Sequence, residues 1–389
     1  MMIYFDNSAT TKISDEALAR YVEVSRECFG NPSSLHSEGF RAEKLIEGAR
    51  ADILRALGAP DSTLIFTSSG SEANNLAILG RANAKERFKK NGKVITGEGE
   101  HASVASPIEM LERSGYRTVK IPTRGGALDM AALERELDSD VFLVTLMLVN
   151  NETGALYDIA AASRLIRARA KNAVLHIDAT QAFMKLPFSM SALGADMVTL
   201  SSHKIEGPKG VGALAVSNSL IKNHGLSPII FGGGQEGGLR SGTENVPAIC
   251  AFSEAVNIAK ARLSERHAAC EELRRYLIDR ISHDPDLSAI SITNPESHAP
   301  HIVNLTLPQI KSETALHFLS ARGIFVSSGS ACSSNSQHLS SALVAYGRSN
   351  AEAESSIRVS FSHRNTKDEV DALLGALRDA LATLARVRR

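Results

Sequence analysis

Residues 197–216 read MVTLSSHKIEGPKGVGALAV, in which two short apolar runs enclose a polar, glycine-containing segment with Lys204. The runs, Met197 to Ser201 and Val211 to Val216, have the length and composition of buried strands. In α/β proteins, ligands bind in the loops that follow such strands. We therefore predict that Lys204 lies directly after a strand, at one edge of a sheet.

Similar apolar runs alternate with helical stretches through the first two thirds of the chain. This order predicts an α/β domain with a mostly parallel central sheet flanked by helices. Its other predicted strands are Thr63 to Thr67, Lys93 to Thr96, Val141 to Val149 and Val174 to Asp178, and its predicted helices include Glu72 to Lys90 and Ala160 to Lys171.

The last third of the chain predicts a smaller α/β domain. One long helix-forming stretch, from Glu244 to about Ile281, could link the two domains. The predicted elements that follow are His301 to Leu307, Glu313 to Arg322, Ile324 to Ser327, Ile357 to Phe361 and a terminal helix from Lys367. We place the large domain at residues 14–260 and the small domain at residues 1–13 and 261–389, with a cysteine-containing loop at 327–341.

The composition is that of a soluble, enzyme-sized protein. Of 389 residues, 43% are hydrophobic and 22% are charged, close to the averages for globular proteins. The 43 Lys and Arg residues balance the 43 Asp and Glu residues, so no global charge attracts nucleic acid or an anionic membrane. We predict no direct binding to either.

The amino terminus and the cysteines predict a cytoplasmic location. Met1 to Asp6 lack the pattern of an export signal, and the longest apolar run, Val141 to Val149, is too short to cross a bilayer. The cysteines are Cys28, Cys250, Cys270 and Cys332. Their scattered positions match neither a disulfide scaffold nor a metal site, so we expect a reducing compartment and no metal.

Three polar positions beside predicted strands form a set that suits a phosphorylated pyridine. Asp178 ends a strand and could keep a pyridinium nitrogen protonated, while Lys204 could bond the cofactor covalently. Thr67 to Glu72 opens a helix, where amides and hydroxyls can hold a phosphate. Taken singly, these positions could be a solvated lysine, a helix N-cap and a serine cap. Together they favour pyridoxal phosphate (PLP).

Eight short segments, spread over the chain, occur in a specific order. They are Tyr4-Phe5-Asp6-Asn7-Ser8-Ala9-Thr10-Thr11, Phe29-Gly30-Asn31-Pro32-Ser33-Ser34-Leu35-His36, Asn150-Asn151-Glu152-Thr153-Gly154, Ser202-His203-Lys204, Gly232-Gly233-Gly234-Gln235-Glu236, Arg240-Ser241-Gly242-Thr243, Gly329-Ser330-Ala331-Cys332 and Ser356-Ile357-Arg358. In this order they resemble the class I cysteine desulfurases of the NifS/IscS type. The resemblance implies the type I fold of PLP enzymes, the aspartate aminotransferase fold, and a homodimer with each active site at the subunit interface.

The resemblance also implies how PLP is bound. Lys204 would form the Schiff base, Asp178 would pair with the pyridinium nitrogen and Gln181 would bond the ring hydroxyl. His101 would stack on the ring and relay protons. The phosphate would be held by Gly70, Ser71, Ser201, His203 and, from the other subunit, Thr243.

The substrate implied by the resemblance is L-cysteine, bound by Asn151, Asn31 and Arg358. Arg358 would hold the carboxylate through two hydrogen bonds. It also lies within a predicted strand, so a side chain that merely faces solvent is the alternative.

Cys332 is the candidate nucleophile, because the serines and glycine around it suggest an exposed setting. An ordinary thiol pKa of ~8.5 would already leave several per cent of thiolate near neutral pH. Cys28, Cys250 and Cys270 lie in helical patterns and are predicted to be inert packing residues.

The implied reaction converts L-cysteine to L-alanine and leaves the sulfur on Cys332 as a persulfide. Lys204 would remove the α-proton while the cofactor stores the electrons. The persulfide would then pass to an acceptor protein, such as an iron-sulfur scaffold or a tRNA-thiolation enzyme; the sequence does not identify which.

Three places depart from the family pattern. Glu206 stands where relatives have an aromatic residue or histidine, and a carboxylate there could raise the pKa of Lys204 and slow it as a base. His338-Leu339 replaces an acidic residue and proline after the cysteine loop. Ser362-His363 replaces Gly-Arg, a change that the sequence alone does not explain.

Other functions remain open at this point. A selenocysteine lyase or another PLP β-lyase would use the same cofactor site, and an aminotransferase would not need Cys332. A weakly catalytic sulfur-relay subunit would hold partners and tolerate the departures at Glu206 and Ser362.

Overall fold

The computed structural model describes residues 2–85, 88, 92–328 and 339–385. Within these ranges the strands are β1 (Ile3–Tyr4), β2 (Ser62–Thr67), β3 (Lys93–Gly97), β4 (Arg117–Ile121), β5 (Val141–Met147), β6 (Val174–Asp178), β7 (Met197–Ser201), β8 (Gly212–Ser217), β9 (Ser291–Thr293), β10 (Ile302–Thr306), β11 (Ile324–Phe325), β12 (Ser327–Ser328) and β13 (Ser356–Ser360). The α-helices are Asp15–Glu27, Ser37–Ala56, Gly70–Asn75, Arg81–Asn83, Ala102–Arg113, Met130–Glu136, Ile159–Arg169, Met190–Leu193, Asn218–Lys222, Val246–Ala261, Leu263–Ser282, Ser312–Ser320, Ser341–Tyr346, Asn350–Glu354 and Lys367–Leu384, and a π-helical turn at Leu76–Gly80 joins the third to the fourth. None of these helices is both long and apolar enough to cross a membrane.

The larger sheet has the order β2-β8-β7-β6-β5-β3-β4. Its strands are parallel except at β8, which runs antiparallel to both β2 and β7. Successive residues of β8 contribute to different cores: Ala213 and Ala215 to one, Leu214 and Val216 to the other. Because the sheet is covered on both faces, its inner strands β3, β5, β6 and β7 are buried along their whole length, whereas the edge strand β4 carries exposed residues. The predicted α/β fold with a mostly parallel sheet is confirmed.

A second sheet, β12-β13-β10-β9, is antiparallel and has its own core. This core includes Leu273 and Leu277 from the helix Leu263–Ser282 and Leu374 from the terminal helix. The short strand β1 pairs in parallel with β11, so the first residues of the chain join this part of the molecule. The domain bounds proposed from the sequence remain a prediction.

The prediction of one long helix from Glu244 to about Ile281 is wrong. The chain leaves helical geometry at Arg262, where φ is −118°, and forms two helices. The first, Val246–Ala261, packs on the core of the larger sheet, whereas the second packs on the core of the smaller sheet. The predicted helix from Glu72 to Lys90 is helical up to Asn83, and most of its last residues lie outside the described ranges.

Candidate active site

The carboxyl ends of β6 and β7 bring the predicted residues to one edge of the larger sheet. These strands are parallel neighbours, and Asp178 is paired in register with Thr199. After β7 ends at Ser201, a single 3₁₀ turn carries the chain to Lys204. Lys204 therefore follows a strand as predicted, beside the end of the strand that carries Asp178.

Asp178 is a buried carboxylate with two neutral partners. Its Oδ2 accepts a hydrogen bond from Asn74 Nδ2 at 2.8 Å, and its Oδ1 accepts one from the Thr180 amide at 2.9 Å. The residue is 6% exposed, and no ion pair within the described ranges includes it. A buried charge of this kind is stable only when paired or hydrogen-bonded, so a cationic ligand group would complete the site.

His101 is joined to Asp178 through two side chains that the sequence did not reveal. Ser103 Oγ lies 2.8 Å from His101 Nδ1 and accepts from Asn74 Nδ2 at 2.8 Å, and Asn74 also donates to Asp178. His101 Nδ1 accepts a hydrogen bond from the Ser103 amide at 3.1 Å, so a neutral ring carries its proton on Nε2. Nothing in the sequence around Asn74 predicts that its side chain belongs to the site.

Charged groups from three other parts of the chain influence the pKa of His101. Burial lowers the pKa of His101; Asp178 acts against this, while Lys204 and Arg358 lower the pKa further. Three charged groups from different parts of the chain therefore act on this ring; Lys204 and Arg358 favour its neutral form, as burial does, whereas Asp178 favours its charged form.

Lys204 is held by the amino-terminal segment. Its Nζ donates to the carbonyl oxygens of Ser8 at 2.6 Å and Ala9 at 2.7 Å. Gln181 Nε2 donates to the same Ser8 carbonyl at 2.9 Å. Two residues predicted to bind the cofactor thus share one backbone acceptor, which sequence patterns do not reveal.

At the predicted phosphate site, Gly70 at the start of its helix lies close to Ser201 at the end of β7 and to Thr180 after β6. A Cβ added there would lie 3.2 Å from Ser201 Cβ and 3.3 Å from Thr180 Oγ1, so a larger residue would crowd these side chains. The helix that begins at Gly70 is capped by Ser69, whose Oγ accepts from the Glu72 amide at 3.1 Å. Ser71 belongs to the first turn of this helix, where amides can face an anion.

Two other residues predicted to hold the phosphate have different surroundings. His203 Nδ1 lies 3.1 Å from Thr10 Oγ1, and burial, together with Lys204 and other lysines, lowers its pKa to about 4. Thr243 is exposed and lines a cleft with Ser68 of its own chain. A role for Thr243 in the other subunit stays a prediction.

Arg358 is buried at the centre of β13, which excludes the solvent-facing alternative. It is 6% exposed; Nη1 donates to the Asn151 carbonyl at 2.7 Å and Nη2 to Asp6 Oδ1 at 2.9 Å. The buried Nε has no hydrogen-bond partner within the described ranges. Asn31, by contrast, is exposed, and its Oδ1 accepts from the Ser33 amide, so no contact within those ranges joins it to the other predicted residues.

Cys332 lies outside the described residues, but both flanks of its segment are positioned. Ser327 in β12 is paired with Arg358. At the other flank, Ser340 Oγ donates to Glu152 Oε2, next to Asn151. Burial raises the pKa of Glu152 to about 7, although Ser340 and Arg358 act to lower it. The flanks of the cysteine-containing segment therefore lie beside two predicted substrate residues.

The departures at Glu206 and His363 are parts of one ionic cluster, in which Glu206 is buried and Arg364 is half exposed. Glu206 is 7% exposed; its Oε2 lies 3.1 Å from Arg266 Nη2, and its Oε1 lies 3.2 Å from Arg364 Nε and 3.9 Å from His363 Nδ1. The unusual acid is thus matched by unusual bases after β13. This gives a physical account of His363, while Ser362 Oγ accepts a hydrogen bond from the Arg364 amide at 3.2 Å. An effect of Glu206 on the pKa of Lys204 stays a prediction.

We expect Glu206→Gln to lower the free energy of unfolding by about 3 kcal/mol, because it leaves two guanidinium groups without their carboxylate. Urea unfolding followed by circular dichroism would measure this. Glu265→Gln is the matched control, since it removes an acid from a fully exposed ion pair with Arg262 and should change little. An equal effect of the two substitutions would contradict a structural role for the cluster.

Comparison with known proteins identifies the class of this chain. The aminotransferase class-V family matches residues 3–373. The cysteine desulfurase IscS 1 of Archaeoglobus fulgidus is 37% identical over 377 residues, covering 97% of this chain and 96% of the relative. A solved NifS-like protein superposes with a TM-score of 0.90 at 34% identity, covering 98% of this chain and 100% of the other. A structure of SspA in complex with cysteine has a TM-score of 0.80 at 32% identity, covering 94% and 100%.

The chain belongs to the aminotransferase class-V family of PLP-dependent enzymes. Within that family it groups with the cysteine desulfurases of the NifS/IscS type, as the matching segments predicted. The cofactor predicted from Lys204 and Asp178 is confirmed at the level of the family.

The side chains at this edge of the sheet fit PLP. The buried carboxylate of Asp178 suits a protonated ring nitrogen, and the amine of Lys204 suits the aldehyde carbon. Gly70 leaves space beside Ser201, where a phosphate could meet hydroxyls and helix amides. The set thus supplies an acid, an amine and an anion cradle, which are the three groups that this cofactor needs.

Proposed function

We propose that this chain is a cysteine desulfurase that converts L-cysteine to L-alanine and keeps the sulfur on Cys332 as a persulfide. The observation that carries the proposal is the anchoring of the segment around Cys332. It leaves β12 next to Arg358 and returns at Ser340, which is bonded to Glu152 beside Asn151. Cys332 is four residues beyond Ser328, so chain length limits its Cα to within about 14 Å of the end of β12.

The cofactor would be held by the groups at the sheet edge. When bound, PLP stores the electrons released at the substrate's α-carbon. Asp178 would pair with the ring nitrogen, Gln181 would bond the ring hydroxyl, and His101 would stack on the face of the ring. The phosphate would be bound by Gly70, Ser71, Ser201, His203 and, from a second subunit, Thr243.

The substrate carboxylate would be recognised by Arg358. Its Nε is buried and unpartnered within the described ranges, while Asp6 and Asn151 fix the plane of the guanidinium group. A carboxylate is the anion that such a group binds best. Asn151 and Asn31 would supply further contacts, although Asn31 would first need a rearrangement or a second subunit.

Lys204 and His101 would move protons. The Lys204 amine would take the proton from the α-carbon, and the backbone oxygens of Ser8 and Ala9 would hold it as an ammonium group. Burial favours the neutral form of His101, whose Nδ1 accepts from the Ser103 amide, so the proton on Nε2 could be donated to a developing negative charge. Asn74 and Ser103 fix the orientation of its ring.

The sulfur step is a thiolate displacement. The Cys332 thiolate would attack the sulfur of the substrate, forming the S–S bond as the Cβ–S bond breaks. The bonding pair stays on the substrate's β-carbon, which takes a proton to become the methyl group of alanine. An acceptor protein would then remove the outer sulfur, in iron-sulfur assembly or tRNA thiolation.

We also propose a cytoplasmic homodimer. Several large apolar side chains are exposed on the single chain, including Phe29 at 81%, Leu35 at 106% and Phe231 at 80%. Exposed apolar surface of this kind marks interfaces, and Phe231 adjoins the glycine-rich segment that leads to Thr243. The free, buried thiols of Cys28, Cys250 and Cys270 suit a reducing compartment.

The test is the product balance of the purified, PLP-loaded protein with L-cysteine. With a reductant, we expect alanine and sulfide in equal amounts. Without a reductant, the peptide that contains Cys332 should gain the mass of one sulfur atom.

Pyruvate and ammonia in place of alanine would favour a β-lyase. Pyridoxamine phosphate would favour an aminotransferase, and activity restricted to selenocysteine would favour a selenocysteine lyase. The absence of products despite bound PLP would favour a relay subunit.

A further inference from the structure

A cavity of about 50 Å³, lined by apolar side chains and a few charged ones, lies behind Lys204, between the turn that carries this residue and the helix Leu263–Ser282. Its lining includes Lys185, Arg266 and His301. The volume is far below the ~300–1,000 Å³ of sites for metabolites and cofactors. The cavity therefore suits a single ion or a few water molecules.

Two residues in its wall, His301 and Arg266, have buried nitrogen atoms without a hydrogen bond within the described ranges. His301 is 2% exposed, and neither ring nitrogen makes a hydrogen bond within the described ranges, although the Gln181 backbone faces the ring. Arg266 donates through Nη2 to Glu206, but its Nε is buried and unpartnered within the same ranges. A neutral imidazole must carry one N–H group, so both residues offer a donor. Buried donors without acceptors are costly, which points to a ligand.

The charge of the wall is positive. Arg266 and Arg364 share the single carboxylate of Glu206. Lys185 adds an amine to the wall. Its Nζ donates a hydrogen bond to the neutral side-chain oxygen Oε1 of Gln181, at 3.3 Å. Although the residue is partly accessible through the cavity, burial of its amine and repulsion by Lys204 lower the pKa of Lys185 to about 7. Glu206 also lines the cavity, so the charged side chains of the wall are one acid and three bases, Lys185, Lys204 and Arg266, and the cationic groups outnumber the carboxylate.

We propose that this cavity binds a small inorganic anion of the size of chloride. The anion would accept hydrogen bonds from Arg266 Nε, the His301 ring and the Lys185 ammonium group. It would favour the charged form of Lys185 and so keep the hydrogen bond to Gln181 Oε1, which leaves Gln181 Nε2 directed at the Ser8 carbonyl. Occupancy would thereby fix the amide predicted to face the cofactor, a consequence that rests on the proposed function; the anion site itself does not.

Bromide is the probe, because it replaces chloride and scatters anomalously. Crystals of the holoenzyme grown in sodium bromide should show an anomalous peak within hydrogen-bonding distance of Arg266 Nε and Lys185 Nζ. In solution, chloride should raise the Tm of the holoenzyme by roughly 2–5 °C relative to gluconate at equal ionic strength. Lys185→Met should weaken the chloride response at least tenfold, whereas Lys222→Met, at an exposed lysine, should leave it unchanged.

Two outcomes would overturn the proposal. Water without bromide in the cavity would mean that the donors are hydrated. A bromide peak with no chloride-specific shift in Tm, and the same peak in Lys185→Met, would mean an adventitious ion only. Neither outcome depends on desulfurase activity, so a failure here leaves the proposed function to its own test.

Discussion

Lys204→Ala should lower alanine release from L-cysteine by roughly 10³-fold or more, because it removes both the covalent anchor of the cofactor and the base for the α-proton. In the structure this amine is held by the carbonyl oxygens of Ser8 and Ala9, and an alanine side chain reaches neither. The measurement is alanine release by the PLP-incubated variant, together with its visible absorption spectrum. The absorption band of the lysine-bound cofactor should be lost.

Lys209→Ala is the matched control for this substitution. Lys209 lies five residues further on in the same loop but is exposed, so its removal should leave alanine release and the spectrum close to wild type. Lys204→Arg keeps a positive charge but cannot serve as the amine, and it should be as inactive as the alanine variant. Wild-type turnover in either Lys204 variant would refute the assignment.

Cys332→Ser should reduce sulfide release by roughly 10³-fold or more while leaving the cofactor spectrum intact. A serine hydroxyl is not ionised near neutral pH and does not attack sulfur, whereas a thiol already supplies some thiolate. The measurement is methylene-blue detection of sulfide with L-cysteine and a reductant. Substrate should still bind, because Arg358 and Asn151 are unchanged.

Cys250→Ala is the control for the second substitution. Cys250 is 5% exposed, and burial raises its pKa to about 11, so its thiol is an inert packing group. This variant should release sulfide at nearly the wild-type rate. If Cys332→Ser were as active as Cys250→Ala, no persulfide would be needed, and a β-lyase would become the better description.

Two strands at the centre of the larger sheet, β6 and β7, could be predicted to the residue, whereas β5 ends at Met147, two residues before the predicted end. β6 and β7 match the predicted Val174 to Asp178 and Met197 to Ser201, because each is buried on both faces and its apolar run coincides with the strand. β4 was missed, since Arg117–Ile121 is an edge strand with exposed charged residues and no clear alternation. The break at Arg262 carries no glycine or proline, and it follows from the packing of two helices on different cores.

The site was predictable where side chains follow strands, and less so where the backbone takes part. Asp178 and Lys204 were found because strand ends collect functional groups. The carbonyl of Ser8, which binds both Lys204 and Gln181, comes from a distant segment and has no sequence signature. The sequence relates Glu206 to its neighbour Lys204, yet its ion-pair partners in the structure, Arg266 and Arg364, lie in a helix and a loop far along the chain.

The first ten residues of the chain reach across both sheets. Tyr4 pairs with Phe325 beside the smaller sheet, while Ser8 and Ala9 hold Lys204 at the edge of the larger one. Protein engineers should therefore treat this segment as part of the catalytic machinery when they choose where to attach an affinity handle or trim the chain. A fusion beyond the helix Lys367–Leu384 would not disturb these contacts. Proteolytic cleavage between Ala9 and Thr10 would remove the carbonyl oxygens that hold Lys204, and it should abolish activity.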